Sequence, residues 1–365
     1  MTKIKDIIQY LETFAPPSYQ EDYDNSGLII GNQLNDLTAA IIALDCTEEV
    51  VDEAIKKKCN LIIAHHPIIF RGLKKLTGKS YIERTAIKAI KHDIAIYAIH
   101  TNLDHVAKGV NKQIADKLGL VQPKILRPKT NTLQQLTTYI PIENTQEVLA
   151  KLHEAGAGMI GNYQNCSFRT AGTGTFLPSE NAKPTIGAVG KIEEVNENRV
   201  EVIFPAYLKS KILQTLFEAH PYEEVAFYLH DLANQNNEVG SGMIGDLPKP
   251  MESEQFIHHL KKIMNVKVVR HTALVKNKIS KVALCGGSGS FLLSDAIAQG
   301  ADMFISGDFK YHEFFDADGR IIIADIGHYE SEQFTKELIY NNISEKFANI
   351  ALHFTGVNTN PIFYA

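Results

Sequence analysis

The sequence predicts an α/β protein in which an outer α/β domain is interrupted by a smaller inserted α+β domain. Three observations lead to this prediction. Short apolar strands alternate with helical segments early in the chain, the same alternation returns near the C-terminus, and a stretch with a different order of elements separates the two blocks. Short buried strands separated by helices are typical of a mainly parallel sheet that is covered on both faces. A chain of 365 residues is long enough for two or three domains of about 150 residues.

The first block begins with a helix over residues 3–14, because apolar residues recur there at helical spacing and Pro16 and Pro17 follow it. Thr47, followed by acidic residues, is a candidate cap for the next helix. The remaining predicted elements of this block are strands over residues 39–44, 61–64 and 94–99 and helices over residues 47–58, 81–91 and 110–118.

The second block and the middle segment differ in their order of elements. The second block has predicted strands at 281–284, 301–305 and 321–323, with helices at 291–299 and from 330 onward. The middle segment has predicted strands at 133–140, 166–176, 186–193, 200–204 and 224–229, with helices at 145–154 and 209–219. This order approximates the split βαβ unit of ferredoxin-like folds with one extra strand. We therefore predict an α/β domain formed by 1–125 and 237–365, with an inserted domain at 126–236.

Composition excludes several classes of protein. Apolar residues make up 44% and charged residues 22% of the chain, and no apolar run approaches the length of about 20 residues that a membrane span requires. The N-terminus lacks a signal-peptide pattern and the four cysteines are far apart, so we expect a cytoplasmic protein with free thiols. The net charge is −5 without a dense Lys/Arg block, so we do not expect nucleic-acid binding, and DNA binding through a central hole is disfavoured.

Four apolar runs of the outer blocks end in residues that can bind metals or act as carboxylates. In an open parallel sheet the carboxyl ends of the strands meet at one edge, so these four ends are expected to converge there. The residues concerned are His65 and His66, then His100 and Asp104, then Asp308, and finally His328 and Glu332.

The donor set favours a pair of metal ions. His65 and His66 precede Pro67, where a turning backbone lets two adjacent imidazoles reach neighbouring ions. His328 and Glu332 are four residues apart and would share one helix face. Three imidazoles with the carboxylates of Asp104 and Glu332 suit zinc above all, and also manganese, iron or nickel.

The coordination arithmetic favours an open site. If Glu332 bridges two ions, five residues supply about six donor bonds, whereas two four-coordinate ions need about eight. The remaining positions would be available to water or a substrate, which implies chemistry or ligand capture.

Other histidines and carboxylates have weaker support. Asp308 and His312 follow a strand but could be a helix cap or a partner of the metal ligands, and His100 could hydrogen-bond the ligands instead of binding metal. The doublet His258-His259 lies inside a helical pattern without a neighbouring acid, so we interpret it as helix surface.

Three further features of the sequence give little evidence of function. The turn Gly286–Gly289 has Leu292 in place of the third glycine of a dinucleotide fingerprint, although its helix N-terminus could contact an anion. Cys285 has no recognisable activating arrangement, so we interpret it as a buried structural thiol. Arg71, Lys74 and Lys75 could meet an anionic substrate, but such residues commonly form a solvated face.

Five motifs stand out in the outer blocks: Asp24-Asn25-Ser26-Gly27-Leu28, Ala64-His65-His66-Pro67, His100-Thr101-Asn102-Leu103-Asp104, Ser306-Gly307-Asp308 and Gly327-His328-Tyr329-Glu330-Ser331-Glu332. Together they resemble the GTP cyclohydrolase 1 type 2 homolog family, also called the NIF-three-like dinuclear-metal hexamer family. The resemblance runs in order through nearly the whole chain, and residues 155–163 and 219–226 look like the middle domain of longer members, which is similar to PII and CutA modules.

The resemblance implies a discontinuous NIF-three-like domain with a PII/CutA-like insert, and a homohexamer. It also implies one ion held by His66, Asp104 and Glu332 and a second held by His65, His328 and Glu332. The family name suggests hydrolytic opening of the GTP imidazole ring, yet hydrolytic metal sites serve phosphoester and amide hydrolysis equally well. Our first hypothesis is a metal-dependent hydrolase of a nucleotide or phosphorylated small molecule. The alternative is a non-catalytic regulatory or metal-delivery protein whose insert senses a ligand.

Overall fold

The computed structural model describes residues 2–365, which form two compact units. One unit contains residues 2–128 and 238–365, and the other is Lys129–Asn237. The inserted domain at 126–236 stays a prediction.

The first sheet of the larger unit has five strands in the order β1-β4-β3-β2-β15. Strands β2, β3, β4 and β15 run parallel, and β1 pairs antiparallel with β4 at one edge. The strands are β1 (Gly27–Ile30), β2 (Ala40–Ala43), β3 (Leu61–Ala64), β4 (Ala95–Ala98) and β15 (Leu352–Phe354).

The second sheet of this unit has six strands in the order β11-β14-β13-β12-β10-β5. Strands β12, β13 and β14 run parallel, whereas β10 and β11 join them antiparallel. The strands are β5 (Val121–Lys129), β10 (Asn236–Glu252), β11 (Arg270–His271), β12 (Lys278–Ser288), β13 (Met303–Gly307) and β14 (Ile322–Asp325).

Helices cover both faces of the first sheet. Along β3, Leu61 and Ile63 pack into one buried cluster and Ile62 and Ala64 into another, as expected for a parallel strand with two covered faces. The larger unit contains α1 (Ile4–Phe14), α2 (Glu48–Lys56), α3 (Tyr81–Lys91), α4 (Thr101–His105), α5 (Val110–Lys117), α8 (Ser253–Ile263), α9 (Leu293–Ala298), α10 (His328–Glu332) and α11 (Thr335–Lys346). Within residues 2–365, no helix combines the length and apolar character needed to cross a bilayer.

The smaller unit has the element order β-α-β-β-α-β around a four-stranded antiparallel sheet in the order β7-β8-β6-β9. Val200, Val202 and Phe204 of β8 face the two helices and form the buried core with them. The alternate residues of the strand therefore lie on the opposite face of the sheet. The elements are β6 (Leu133–Pro141), α6 (Thr145–Ala155), β7 (Phe168–Phe176), β8 (Glu193–Pro205), α7 (Lys209–Ala219) and β9 (Phe227–Leu232).

One prediction about a strand is wrong, because the predicted strand over 186–193 does not form. The strand predicted over 200–204 is present, as part of the longer, 13-residue strand β8. Residues 177–192 are irregular because Pro178 and Pro184 remove backbone donors and Gly187 and Gly190 adopt left-handed conformations. The predicted glycine-rich turn is also wrong, since Gly286 and Gly287 lie within β12, where the register shifts.

The prediction that four strand ends share one sheet edge is wrong as well. Strands β3 and β4 belong to the first sheet, and β13 and β14 belong to the second. Hydrophobic periodicity identifies strands but does not report which sheet they join, so the sequence could not distinguish one edge from two facing ones.

Glu53 on α2 ties the segment after β15 to the first sheet. Its carboxylate accepts hydrogen bonds from Thr355 Oγ1 at 2.5 Å and from the Gly356 amide at 3.1 Å, and its Oε1 lies 2.7 Å from Lys57 Nζ. Burial opposes ionisation, but these three partners outweigh it and lower the pKa of Glu53 to about 2.

We expect Glu53→Ala to lower the free energy of unfolding by about 2 kcal/mol, because it removes several charge-assisted hydrogen bonds. The pKa of Glu53 is lower in the folded chain than its ordinary value of 4.5, so the contribution is complete above pH 4.5 and is lost as the pH falls toward 2. Urea unfolding at several pH values measures both effects. Asp52→Ala is the control, because Asp52 pairs with Lys88 while 60% exposed and should contribute about 0–1 kcal/mol. Equal losses for the two variants would contradict the assignment.

Candidate metal centre

The candidate site lies where the carboxyl ends of strands from both sheets meet. His65 and His66 follow β3 directly, and Asp104 lies on α4 just after β4. His328 and Glu332 form the first and last residues of α10, which follows β14 of the second sheet. Residues from the two ends of the sequence therefore converge, as the sequence predicts, although they come from two sheets.

The five side chains form two groups that share Glu332. In the first group, His65 Nε2 lies 3.6 Å from Asp104 Oδ1 and 3.8 Å from Glu332 Oε1. In the second, Glu332 Oε2 lies 3.0 Å from His66 Nε2 and 3.2 Å from His328 Nε2. The donor atoms within each group all lie within 4.8 Å of one another, so each group could hold a metal ion.

This grouping exchanges His65 and His66 relative to the pairing that the resemblance implies. His65 is completely buried and faces Asp104, whereas the side chain of His66 is 21% exposed and lies beside His328. Adjacent residues at the end of a strand point in opposite directions, which gives each imidazole a different partner.

Hydrogen bonds orient each of the three imidazoles. The Nδ1 atoms of His65, His66 and His328 lie 2.8, 2.8 and 2.7 Å from the Ile99 carbonyl, Asp45 Oδ1 and Asp308 Oδ2. Because a carbonyl or carboxylate only accepts, each Nδ1 carries the proton. Each Nε2 then faces the cluster, where its lone pair would serve a metal ion once the proton on that nitrogen is displaced; a histidine held through Nδ1 is the arrangement found in protein metal sites.

Two buried polar atoms in the first group are suited to bind a cation. Neither His65 Nε2 nor Asp104 Oδ1 has a hydrogen-bond partner among residues 2–365, although both atoms are buried. A buried polar atom without a partner is costly, and each of these atoms is a good metal ligand. The residues therefore fit a divalent ion.

The electrostatics of the cluster favour positive charge. Burial opposes protonation of His66, but Asp45 and Glu332 outweigh it and raise its pKa to about 10. Burial likewise opposes protonation of His328, while Glu332 and Asp308 raise its pKa to about 11. Burial and the nearby Glu332 raise the pKa of Asp104 to about 7. The site thus attracts cations, and metal ions would compete with protons for it.

Gly287 makes room for the shared carboxylate. This residue lies in the β12 bulge with a φ of +61°, and a Cβ there would overlap Glu332 Oε1 and lie 3.3 Å from His328 Cε1. Its amide donates to Ser331 Oγ at 2.9 Å, and this hydrogen bond holds the β12 bulge against α10.

His100 lines the cluster and is held by a buried carboxylate. Its ring centroid lies 5.3 Å from that of His65 and 5.2 Å from that of His66. Its Nδ1 donates to Asp24 Oδ1 at 2.7 Å, and Asp24 also accepts from the amide and hydroxyl of Thr101. His100 could complete a third donor group with His65 and His66.

Other candidates lie outside the cluster. Asp308 contacts His328, but His312 is exposed and its ring contacts Tyr311 and Phe315. Cys285 is buried, in keeping with a structural thiol, and burial together with Asp104 and Glu332 raises its pKa. Further residues that do not enter the donor groups are the helical His258 and His259 and the exposed Arg71, Lys74 and Lys75.

Sequence reasoning missed Asp45. It lies two residues after the end of β2, so the strand-end rule that identifies the other residues could have found it. Thr359, which donates to Asp45 Oδ2 at 2.7 Å, has no such signal, because it lies 314 positions away in an irregular segment near the C-terminus.

The sequence is similar to those of known proteins. The sequence matches the Duf34/NIF3 (NGG1p interacting factor 3) family over residues 2–361. A Halalkalibacterium halodurans protein named GTP cyclohydrolase 1 type 2 homolog is 39% identical over 98% of each chain. A Bacillus subtilis protein of the same name is 37% identical over 98% of this chain and 97% of its own.

Solved structures agree with the fold. A Bacillus cereus protein related to NIF3 superposes with a TM-score of 0.88 at 37% identity, covering 100% of this chain and 99% of that chain. A Staphylococcus aureus protein superposes with a TM-score of 0.79 at 33% identity over the same shares.

We expect Asp308→Asn to weaken divalent-metal binding by about 10–100-fold, because the amide no longer holds the His328 Nδ1 proton as a carboxylate does. Metal affinity is measured by competition with a chromophoric chelator. Asp318→Asn is a matched control, because Asp318 is also an aspartate with left-handed φ, which Asn tolerates, and it is 77% exposed. Unchanged affinity in the Asp308 variant would contradict this role.

Proposed function

This chain belongs to the Duf34/NIF3 family, and on that basis we propose that it is a hydrolase that uses two divalent metal ions to act on a nucleotide or another phosphorylated small molecule. The observation that carries this proposal is the pair of donor groups that share Glu332. A carboxylate shared between two neighbouring groups is suited to bridge two ions, which is a common arrangement in enzymes that cleave phosphate esters.

We assign His65, Asp104 and Glu332 to one ion and His66, His328 and Glu332 to the other. Nitrogen and oxygen ligands without thiolate suit zinc, which is our first choice, and also manganese, iron or nickel. Three donors for each ion leave coordination positions for water and substrate, which supports a catalytic site over a closed structural one.

The protein contributes orientation and hydrogen bonding around the ions. When bound, two divalent ions supply Lewis-acid polarisation of water and of the reacting group. Asp45 and Asp308 keep the imidazoles of His66 and His328 in position through their Nδ1 atoms. Asp24 fixes the ring of His100, whose Nε2 can then exchange a hydrogen bond with a substrate beside the donor groups.

The substrate class is wider than the name of the relatives suggests. That name points to GTP, whose imidazole ring would be opened by attack of water at C8. The only glycine-rich candidate for a nucleotide loop, at residues 286–289, lies largely within β12 among the residues that the structure describes. We therefore propose an anionic phosphorylated substrate without restricting it to GTP.

A second candidate function is a regulatory or metal-delivery protein whose residues 129–237 form a ligand-sensing, PII/CutA-like insert. The observation that favours it is a cavity of about 480 Å³ within this unit. A binding pocket separate from the metal ligands is expected of a sensor and is not needed by a hydrolase.

We also propose that the protein works as a cytoplasmic homohexamer. The family resemblance supports the hexamer, and the four free cysteines are typical of a reducing compartment. Light scattering of the purified chain tests the assembly, and a mass below that of six subunits would contradict it.

We expect Glu332→Gln to abolish turnover and to reduce the bound metal, because it removes the charge that both donor groups share. Wild-type protein is analysed for metals after gentle purification and screened for turnover against nucleotides and phosphoesters. Glu337→Gln is the control, since Glu337 lies on α11, is half exposed and pairs with Lys117 of α5. We expect Asp104→Ala to lose activity similarly.

The outcomes of this screen separate the two candidates. Saturable turnover by the wild type and its loss in the Glu332 and Asp104 variants support the hydrolase. Ligand binding without product favours the regulatory protein. Full turnover by metal-free protein would refute the metal-dependent mechanism.

A further inference from the structure

The smaller unit contains a cavity on the sheet face opposite its helices. Tyr139 of β6 and Glu197 of β8 both line it. On each strand these residues alternate with the residues that face the helical core, so they lie on the other face of the sheet. The rest of the lining comes from the end of β7, from part of the irregular segment that follows it and from the segment before β9, and the volume is about 480 Å³. This volume lies in the range of small-molecule sites, about 300–1,000 Å³.

Glu197 is the central polar group of the cavity. Only 8% of this residue is exposed, although neither helix of the unit lies on its side of the sheet. Its Oε1 accepts a hydrogen bond from the Tyr222 hydroxyl at 2.9 Å, whereas none of the described residues bonds or pairs with its Oε2. Oε2 is not one of the fully enclosed atoms without a partner, so it stays accessible from the cavity, where a donor or a cation could meet it.

The strand beside Glu197 is built to leave space for this carboxylate. Gly172 pairs with Glu197 across β7 and β8, and a Cβ at that glycine would meet no other atom within 4 Å. A Cβ at Gly174, by contrast, would overlap Glu197 Oε2. Glycine weakens a strand interior, so two alternate glycines on one face are consistent with a close approach by another group or a ligand.

The lining around Glu197 combines aromatic rings with negative charge. Tyr139, Phe176 and Tyr222 line the cavity, and the rings of Phe176 and Tyr222 lie 6.0 Å apart. The lining also includes Glu223 and Glu224, whereas none of the described residues that line it is Lys or Arg. Aromatic faces and a desolvated carboxylate together recognise organic cations and reject anions.

His220 holds one wall of the cavity in place. The residue is buried, with 7% of its surface exposed. Its Nε2 donates to the Tyr139 carbonyl at 2.9 Å, and its Nδ1 accepts from the Tyr222 amide at 3.1 Å. Burial and the Glu197 carboxylate raise the pKa of Tyr222, so its hydroxyl remains a donor to that carboxylate. The site is therefore formed before any ligand binds, which lowers the entropic cost of binding.

We propose that this cavity binds a small organic ammonium ion, with the charged nitrogen against Glu197 Oε2 and the carbon substituents against Tyr139, Phe176 and Tyr222. The inference rests on the second candidate function, since it names the class of ligand that the smaller unit would sense. It differs in chemistry from the anionic substrate proposed for the metal centre, so the two sites can be tested separately.

The test is isothermal titration of the full-length protein with choline and with putrescine. Choline is paired with 3,3-dimethyl-1-butanol, a neutral compound of nearly the same shape. We expect saturable binding of at least one ammonium compound and at least tenfold weaker binding of the alcohol. Equal binding of the alcohol and choline, or no binding of either ammonium compound at millimolar concentration, would overturn the proposal.

Two variants test the position of the site. We expect Glu197→Gln, which is nearly isosteric, to weaken ammonium binding at least tenfold, and Gly174→Ala to weaken it by displacing the carboxylate. Glu194→Gln is the matched control, because Glu194 is exposed on the same strand and does not line the cavity. Circular dichroism checks that each variant folds, and unchanged binding in a folded Glu197→Gln variant would refute the assignment.

A further comparison separates this proposal from the proposed hydrolase. Glu332→Gln should bind the ammonium compound like the wild type, and Glu197→Gln should retain its metal by elemental analysis. Loss of ammonium binding in the Glu332 variant would show that the probe binds at the metal centre and would overturn the cavity assignment. Failure of ammonium binding in a protein that retains metal and turnover would remove the cavity proposal and leave the hydrolase intact.

Discussion

The buried carboxylate of Glu332 is the constraint on which the candidate centre depends. Its side chain is 3% exposed and lies within 4 Å of His65, His66 and His328. A carboxylate in such a position is stable only if positive charge compensates it, whether from protons or from metal ions. Because Glu332 and the two adjacent histidines come from opposite ends of the sequence, this compensation requires the strand ends of two sheets to face each other. Burial alone would raise the pKa of Glu332, but the surrounding imidazoles outweigh it and keep the pKa well below its ordinary value.

The loops that follow the strands supply a second set of carboxylates around the donor groups. Asp45, Asp308 and Asp24 each hold one imidazole of the cluster through its Nδ1 atom. Asp45 and Asp308 follow β2 and β13, the strands next to those that precede His66 and His328, whereas Asp24 precedes β1. A parallel sheet buries its strands on both faces and leaves their ends as the natural place for polar side chains. The ends of the parallel strands therefore supply both the proposed metal ligands and most of the carboxylates that orient them.

The smaller unit uses a sheet face in another way. Its helices bury one face, while Glu197 is buried on the other by loops and aromatic side chains. Gly172 and Gly174 weaken β7 locally, yet the missing side chain of Gly174 gives the carboxylate its space. Such a conflict between local preference and tertiary arrangement is expected at functional sites. The two proposed sites differ in charge preference, since the metal centre suits an anionic substrate and the cavity suits a cation.

The sequence by itself determined most elements of the outer blocks and the residues that converge, because hydrophobic period and strand-end position are local properties. It predicted β3 and α3 at their observed bounds and placed His65, His66, Asp104, His328 and Glu332 at strand ends that the structure brings together. Only the tertiary structure decided that these ends belong to two sheets, that His65 rather than His66 faces Asp104, and that Asp45 joins the site. The absence of the predicted strand at 186–193 and the cavity beside this segment were also decided by the tertiary structure. Pairing between distant segments depends on three-dimensional distances, which no local pattern contains.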